Sequence, residues 1–314
     1  MIQHLEDILQ HKPLRIGIST RALFDLEVEH EIFKNEGVNA YTDFQLENEN
    51  TPLEKGAGFD VIEQLLKLNK NDKPFVEVIL LSRNSPDLSL RAFNSIAQSG
   101  LDIKLGSFTS GRPISPFVQA WNIDLFLSNE DLDVKEAVKA GSAAAKLGTR
   151  PKNLINQSIE DEVRIAFDGD AVVFSAESDK IYEKHGLEAF LAHETKNANN
   201  PMAGGPFGEF LKKLSVLRSI YLNEKGVSKV RISIVTARNA PAHQRVVKTL
   251  RAWGAPADEA HFVGANEKHP ILKACNAHIF FDDQEKHVLG ASEVVPAGQV
   301  PGPHNAKKPI IPAS

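Results

Sequence analysis

The chain has 314 residues, of which 42% are hydrophobic and 25% charged, a composition typical of a folded protein with about two domains. Its single cysteine, Cys275, excludes an intrachain disulfide and a zinc site built from several cysteines, and predicts a reducing, cytoplasmic environment. The net charge of −5 gives no general attraction to nucleic acid. The N-terminal residues lack an apolar signal segment, and no stretch reaches the roughly 18 apolar residues of a membrane span, so we expect neither export nor membrane insertion.

Short hydrophobic runs rich in β-branched residues recur along the chain and predict buried strands. Helical periodicity follows most of them. In the run at 244–253, QRVVKTLRAW, apolar residues return on one face until Gly254 ends the pattern. Strands that alternate with helices predict an α/β fold with a parallel sheet. The predicted strands are 15–19, 75–82, 125–128, 163–167, 230–236 and 278–281.

The sequence also contains an internal repeat. An offset of 149 residues pairs Gly37 with Gly186, and identities at this offset run from residue 15 to residue 68. An offset of 154 pairs Arg91 with Arg245 further along the chain. Chance similarity between two sheets of like composition is the alternative, but the nearly gapless register favours two diverged copies of one α/β unit.

The repeat and the composition together predict the domain organisation. The first copy is expected at 1–140 and the second at 161–294, joined by a linker at 141–160 where small residues give way to Pro and Asn. The residues at 295–314 are rich in Pro and Gly and are predicted to form an extended tail. An insertion at 174–229 is too long for a plain crossover and predicts a small helical cap.

Two carboxylates follow the predicted strand at 163–167. Asp168 and Asp170, in the run FDGDAV, stand two residues apart at a strand end and therefore point the same way, while Gly169 lets the backbone turn toward a ligand. The pair could share a divalent cation or divide the roles of nucleophile and acid. An Asp-x-Asp motif in a solvated turn is the alternative.

A hydroxyl follows another strand. Thr236 ends the run at 230–236 and is followed by Ala237 and Arg238, so that a hydroxyl and free amides are available to an anion. The alternative is a plain strand end with Asn239 as a helix N-cap.

A lysine and two further carboxylates complete the set. Lys268 lies in the run GANEKHP, and Asp282 and Asp283 close the strand at 278–281. Because a carboxylate pair at the end of a buried strand is costly without a cation, this pair indicates a functional site.

In chain order these pieces are strand-DGDAV, strand-Thr, Lys and strand-DD, which resembles the four-motif pattern of the haloacid dehalogenase superfamily. Longer stretches resemble the type I cytosolic 5′-nucleotidases, from about residue 14 to residue 294. The resemblance implies an α/β fold of tandem Rossmann-like haloacid-dehalogenase-type units, a degenerate N-terminal one and a catalytic C-terminal one, each with a small helical cap insertion. The stretches that carry it are STRALFDLE, QLENENTPLEKG, FDGDAVVFSAES, HGLEAFLAHE, NPMAGGPFGEFL, VTARNAP, KTLRAWG and HIFFDDQEKHV.

The resemblance implies Mg²⁺-dependent hydrolysis of nucleoside 5′-monophosphates such as AMP. Asp168 would attack phosphorus and form an aspartyl-phosphate, and Asp170 would protonate the departing 5′-oxygen. Mg²⁺ would be held by Asp168, the carbonyl of Asp170, Asp282 and Asp283.

The phosphate-binding residues are implied in the same way. Thr236, with the neighbouring amides of Ala237 and Arg238, would hold the phosphoryl oxygens together with Lys268. Lys273 is the alternative lysine, but it falls inside the helical run PILKAC.

The predicted cap offers aromatic faces, amide donors and glycines, which is the equipment needed to stack on a base and read it. The alternative is that Phe190 and Phe207 form the core of the cap and that 197–200 is a plain loop. The candidate substrate-binding residues are Phe190, His193, Asn197, Met202, Gly204, Gly205 and Phe207.

The first copy lacks the catalytic acids in the repeat register. Ser19 stands at the place of Asp168 and Arg21 at that of Asp170, while Ser128-Asn129 replaces the last carboxylate pair. Cations and hydroxyls there could hold a phosphate without cleaving it, which suggests a site for a regulatory nucleotide. A structural and oligomerisation platform is the alternative. The candidate effector residues are Ser19, Thr20, Arg21, Ser82, Arg83 and Arg112.

Two other functions stay open at this point. The four motifs specify phosphoryl chemistry, whereas the cap specifies the leaving group, so a superfamily phosphatase acting on a sugar phosphate is one alternative. A nucleotide-binding regulator without turnover is the other. The expected partners are a nucleoside monophosphate and a regulatory nucleotide, with a homo-oligomer also open, and the base and sugar preference is not specified.

Overall fold

The computed structural model describes residues 2–70, 74–152, 154 and 161–302, along which strands and helices alternate. The strands are β1 (Leu14–Ser19), β2 (Phe24–Asp25), β3 (Glu54–Lys55), β4 (Val76–Ser82), β5 (Leu105–Phe108), β6 (Leu125–Ser128), β7 (Ala143–Leu147), β8 (Val163–Phe167), β9 (Val230–Thr236), β10 (Glu259–Phe262), β11 (Ile279–Asp282) and β12 (Ala297–Gln299). The helices are α1 (Ile2–His11), α2 (Thr20–Leu23), α3 (Glu27–Glu47), α4 (Phe59–Leu66), α5 (Ser89–Gln98), α6 (Ser115–Ala120), α7 (Asp131–Lys139), α8 (Glu177–Lys196), α9 (Gly208–Ile220), α10 (His243–Ala252), α11 (His269–Cys275) and α12 (Glu285–Ala291).

The six strands predicted from hydrophobic runs are confirmed as β1, β4, β6, β8, β9 and β11, each within one residue of its predicted ends. Every residue of β8 is buried, as expected for a strand in a parallel sheet covered on both faces. The helix predicted at 244–253 is α10, shifted by one residue. The edge strands β5 and β10 were not predicted, because their short LGSF and EAHF sequences contain no continuous apolar run.

Ten strands form one sheet in the order β10-β9-β8-β11-β12-β7-β6-β1-β4-β5. All neighbours are parallel except β12 and β7, which are antiparallel. Read outward from that pair, the first half (β1 to β7) and the second half (β8 to β12) have the same strand order. The α/β class with a mostly parallel sheet is therefore confirmed, and the sequence repeat has a counterpart in the topology.

The repeat extends to the two long helices, α3 and α8. Each is interrupted by one glycine outside the helical region, Gly37 with φ 88° and ψ −176°, and Gly186 with φ 78° and ψ −176°. Residues with a side chain rarely adopt such positive φ values. The offset that pairs these glycines in the sequence thus pairs two equal kinks in the structure.

Two strands lie where the sequence analysis predicted a linker and a tail. β7 falls within 141–160 and β12 within 295–314, and their pairing joins the two halves of the sheet. Neither strand is rich in β-branched residues, because small residues are needed there. A Cβ at Gly298 would lie 2.9 Å from the Cβ of Ala145 and from the ring of Phe281.

Two prolines flank β12, and both lie outside it. Pro296 precedes β12 and Pro301 follows it, so that neither interrupts the ladder. The rest of the predicted linker and tail lies partly outside the described residues, at 153, 155–160 and 303–314.

The predicted cap segment, 174–229, contains two helices that differ in burial. α9 lies against β9, and its residues Leu211, Leu214 and Leu217 are fully buried. α8 is largely exposed and buries only Ser178, Phe190 and Glu194. Within the described residues, no helix is both long and apolar enough to cross a membrane.

Candidate active site

The buried carboxylates of the second half converge at the carboxyl ends of two neighbouring strands. Phe281 of β11 lies beside Phe167 of β8, and the amide of Asp168 donates a 2.8 Å hydrogen bond to the carbonyl of Phe281. This register sets Asp168 beside Asp282 and Asp283. Ligand oxygens of the three carboxylates lie within 4.8 Å of one another, and all three residues are buried.

Lys268 is the cation of this cluster. Its Nζ lies 2.7 Å from Oδ1 of Asp168 and 2.6 Å from Oδ2 of Asp282. Burial alone would lower the pKa of Lys268, but the two carboxylates raise it above its usual value, so the side chain stays charged. Lys273, the alternative lysine, is exposed on α11.

The carboxylates outnumber this one cation. Burial raises the pKa of Asp283 to about 9, with further contributions from the charges of Asp168 and Asp282. Burial likewise raises the pKa of Asp168. Burial would also raise that of Asp282, but Lys268 and His287 lower it. Several acidic groups thus lie close together at this strand edge. All the ligand atoms that they offer are oxygens, which Mg²⁺ prefers.

Thr236 lies on the other side of Asp168, at the end of β9. Its side chain is buried, and its Oγ1 accepts a 3.3 Å hydrogen bond from the amide of Arg238. A Cβ at Gly169 would lie 3.1 Å from that oxygen, so the turn after β8 passes close to the hydroxyl. Thr236, Asp168 and Asp282 thus lie at the ends of three neighbouring strands, β9, β8 and β11.

The side chain of Asp170 pairs with an arginine and is not part of the carboxylate cluster. Nε and Nη2 of Arg238 donate to Oδ2 and Oδ1 of Asp170, both at 2.7 Å. The third nitrogen of Arg238, Nη1, donates to Glu194 on α8. Glu194 and this fork were missed by the sequence analysis, which gave Arg238 only the role of a phosphate-binding residue. The separation of 44 residues between the two partners leaves no local signal.

The residues predicted to contact a base fall into two groups. His193 and Asn197 lie in the last turn of α8 and at its C-cap, where Nδ2 of Asn197 donates to the carbonyl of His193 at 3.0 Å. Phe190 lies on the same helix. The centre of its ring is 5.4 Å from the guanidinium carbon of Arg238.

The other group packs against the main body of the second half. Phe207 is fully buried among aromatic rings, the nearest being Phe281 at 4.7 Å, so its ring belongs to the core. Met202 is also buried, and its Sδ lies 3.3 Å from Nη2 of Arg238. Gly204 forms an antiparallel bridge with Phe174, and the amide of Gly205 donates to the carbonyl of Val173 at 2.8 Å.

The corresponding place in the first half is a cavity of about 810 Å³ at the ends of β1, β4 and β6. Five of the six candidate effector residues line it, namely Ser19, Thr20, Arg21, Ser82 and Arg83. Arg112 is exposed and does not line it.

The two arginines of this cavity already have acidic partners. Arg21 makes two hydrogen bonds to Glu27, at 2.8 and 2.7 Å, and Nε of Arg83 lies 3.0 Å from Oδ2 of Asp133. An anion in the cavity would therefore compete with these carboxylates. The cavity is also lined by residues that the sequence analysis did not consider, including His30, Phe33, Tyr41 and Asn84.

The geometry can be compared with known proteins. A model of the 5′-nucleotidase family matches residues 7–307. Human cytosolic 5′-nucleotidase 1B is 33% identical to the chain over 291 residues, which cover 90% of this chain and 47% of the relative. The chain thus spans about half the length of that curated relative. No solved structure matches the chain significantly.

Proposed function

The chain belongs to the 5′-nucleotidase family, and we propose that it is a phosphoric monoester hydrolase that converts nucleoside 5′-monophosphates such as AMP to nucleoside and phosphate. The observation that carries this proposal is the convergence of Asp168, Lys268, Asp282 and Asp283 at one buried strand edge. A cytosolic location is part of the proposal, since the human relative is named cytosolic.

The carboxylate cluster supports Mg²⁺ as the cofactor. Asp168, the carbonyl of Asp170, Asp282 and Asp283 would hold it, and when bound it would neutralise these carboxylates and the charge of the phosphate. Without such neutralisation, the crowded carboxylates would repel a phosphate dianion.

Asp168 is the proposed nucleophile. Its carboxylate oxygen attacks phosphorus, a P–O bond forms to Asp168, and the bond to the 5′-oxygen breaks. Lys268 and the hydroxyl of Thr236 hold the phosphoryl oxygens, aided by the amides of Ala237 and Arg238. Asp170 gives its proton to the leaving 5′-oxygen and then takes one from the water that hydrolyses the aspartyl-phosphate.

The repeated strand order supports a finer description of the fold. We propose that each half is a Rossmann-like haloacid-dehalogenase-type unit, the second one catalytic and the first one degenerate. The kinked helices α3 and α8, which follow the first strand of each half, would be the helical parts of the two caps. Residues on α8, Phe190, His193 and Asn197, would then contact the base.

The cavity of the first half favours a second role. We propose that it binds a regulatory nucleotide, for which it has the volume, aromatic side chains and the two arginines Arg21 and Arg83. Arg21→Ala should then abolish activation by added nucleotides, whereas Arg112→Ala, outside the lining, should not. Activation that survives Arg21→Ala would leave the first half a structural platform.

Phosphate release from a panel of nucleoside and sugar monophosphates, with and without Mg²⁺, tests the main proposal. Release from nucleotides that requires Mg²⁺ and is lost in Asp168→Asn is the expected result. Preference for sugar phosphates would identify the alternative substrate class. No release from any compound would favour a regulator without turnover, and full activity of Asp168→Asn would contradict the nucleophile.

A further inference from the structure

We propose that Arg238 is a positioning residue that fixes the carboxylate of Asp170 and ties it to helix α8 through Glu194. The proposal rests on the proposed function, in which Asp170 protonates the leaving oxygen. It goes further because it assigns a role to a buried ion-pair network that the proposed chemistry does not use.

The contact between Arg238 and Asp170 is a complete fork. Two guanidinium nitrogens meet the two carboxylate oxygens, each at 2.7 Å, and Arg238 is only 3% exposed. A planar guanidinium paired in this way fixes both the position of the carboxylate and the plane in which it lies, which a lysine cannot do. Small displacements of a catalytic group are costly in rate, so such a contact is suited to keeping the side chain of Asp170 in one position.

The third nitrogen of Arg238 connects Asp170 to the cap segment. Nη1 donates to Oε2 of Glu194, in the last turn of α8. The other oxygen of Glu194 accepts from Ser178 Oγ at 2.8 Å and from Arg245 Nη1 at 3.0 Å. Ser178 lies in the first turn of α8, on the other side of the kink at Gly186. Glu194 therefore connects both segments of the helix, through Arg238, to Asp170.

The first half provides an internal comparison for the outer part of this network. At the offsets of the repeat, Arg91 stands for Arg245 and Gln45 for Glu194. Nη1 of Arg91 donates to Gln45 at 2.9 Å and to Glu29 at 2.8 Å. An arginine that anchors the kinked helix is therefore present in both halves, and this part of the network needs no catalytic acid.

The residues of the Arg238–Asp170 pair are both replaced at the corresponding places of the first half. At the place of Arg238 the first half has Asn84, whose Oδ1 accepts from the hydroxyl of Tyr41 at 3.1 Å. At the place of Asp170 it has Arg21, which pairs with Glu27. The first half thus keeps the helix anchor, whereas its own fork joins Arg21 to Glu27 and has no acid at the place of Asp170.

A pair of substrates that differ in one bridging atom separates positioning of the acid from other roles. The first is a nucleoside 5′-monophosphate, and the second has sulfur in place of the bridging 5′-oxygen. A thiol has a pKa of roughly 8.5, so a departing thiolate needs no proton donor, whereas an alkoxide does. kcat/KM is the quantity to compare, because it reports formation of the aspartyl-phosphate and not its hydrolysis.

Arg238→Gln is expected to lower kcat/KM for the oxygen substrate by about 100-fold and for the sulfur substrate by less than about threefold. Arg238→Lys, which keeps the charge but not the fork, is expected to show the same pattern with a smaller loss. Arg91→Gln is the matched control for loss of a buried helix anchor, and it should leave the ratio of the two rates unchanged. Circular dichroism and thermal unfolding establish that each variant is folded.

Equal losses on both substrates in Arg238→Gln and Arg238→Lys, or no loss on either, would overturn the positioning role. Asp170→Asn separates this failure from failure of the proposed function. It should lose activity on the oxygen substrate alone. If Asp170→Asn loses equally on both substrates, the assignment of Asp170 as the acid is wrong and the positioning role falls with it.

Discussion

Gly37 and Gly186 hold the same backbone conformation at the same place in the two halves of the chain, with φ of 88° and 78° and ψ of −176° in both. Each bends the long helix that follows the first strand of its half. The shape of the repeat is therefore the same in the two halves, even though the first half has Ser19 and Arg21 where the second has Asp168 and Asp170.

Substitution of Gly186 by alanine should lower the free energy of unfolding by about 1–2 kcal/mol, because alanine is strained at positive φ. Beyond the neighbouring backbone of the helix itself, the added Cβ has no contact within 4 Å, so the loss comes from the backbone conformation. Gly37→Ala should behave in the same way. Chemical denaturation measures both.

Gly290→Ala, in α12, is the matched control for this effect. This glycine does not have a positive φ, and alanine is the better helix former, so the variant should be more stable by up to about 1 kcal/mol. Wild-type stability of Gly186→Ala would show that the kink is not maintained in solution.

Much of the candidate site follows from the order of the strands. Asp168, Thr236 and Asp282 each stand at the end of a continuous apolar run, and in a parallel sheet such ends meet at one edge. β7 and β12 could not be predicted in this way. Their Ala-rich and Gly-containing sequences have low strand propensity, and the close packing at Gly298 is the reason that small residues stand there.

Magnesium ions should raise the midpoint of thermal unfolding, because a cation relieves the repulsion among Asp168, Asp282 and Asp283 in the folded state. At a Mg²⁺ concentration 100 times the dissociation constant, the free energy of unfolding should increase by about 2.7 kcal/mol. Differential scanning calorimetry with and without Mg²⁺ measures it.

Asp283→Asn should remove most of this stabilisation, since it replaces one of the three proposed carboxylate ligands with an amide. Asp102→Asn, at an exposed position, is the control and should respond to Mg²⁺ as the wild type does. An equal response of Asp283→Asn and the wild type would place the metal elsewhere.

His278 should make the protein less stable in mild acid. Burial, aided by the charge of Arg164, lowers the pKa of His278 from 6.5 to about 4. Its Nδ1 accepts a 3.0 Å hydrogen bond from the amide of Arg164, which requires the unprotonated form. The unfolded chain takes up the proton below about pH 6.5 and the folded chain does not, so stability falls between about pH 6.5 and pH 4 and is unaffected above that range.

The loss from His278 is at most about 3 kcal/mol. His278→Asn places an amide oxygen where Nδ1 accepts, without a titrating group. Urea unfolding at pH 5 and pH 7.5 should therefore show a smaller difference for the variant than for the wild type. Equal differences would mean that His278 is protonated in the folded protein as readily as in the unfolded chain.

The network around Asp170 was beyond prediction for a different reason. Arg238 and Glu194 are both charged residues in stretches that the sequence assigns to a phosphate loop and a cap helix, and neither stretch has a pattern that demands the other. Their contact depends on how α8 bends at Gly186, which is a property of the tertiary structure.

The proposed mechanism requires that Asp168 is phosphorylated during turnover. Borohydride reduces an aspartyl-phosphate to homoserine, which peptide mass spectrometry locates in the sequence. With Mg²⁺ and a nucleoside 5′-monophosphate, we expect homoserine at position 168 in the wild type and none in Asp168→Asn. Release of phosphate without reduction at Asp168, or reduction at another carboxylate, would contradict the account.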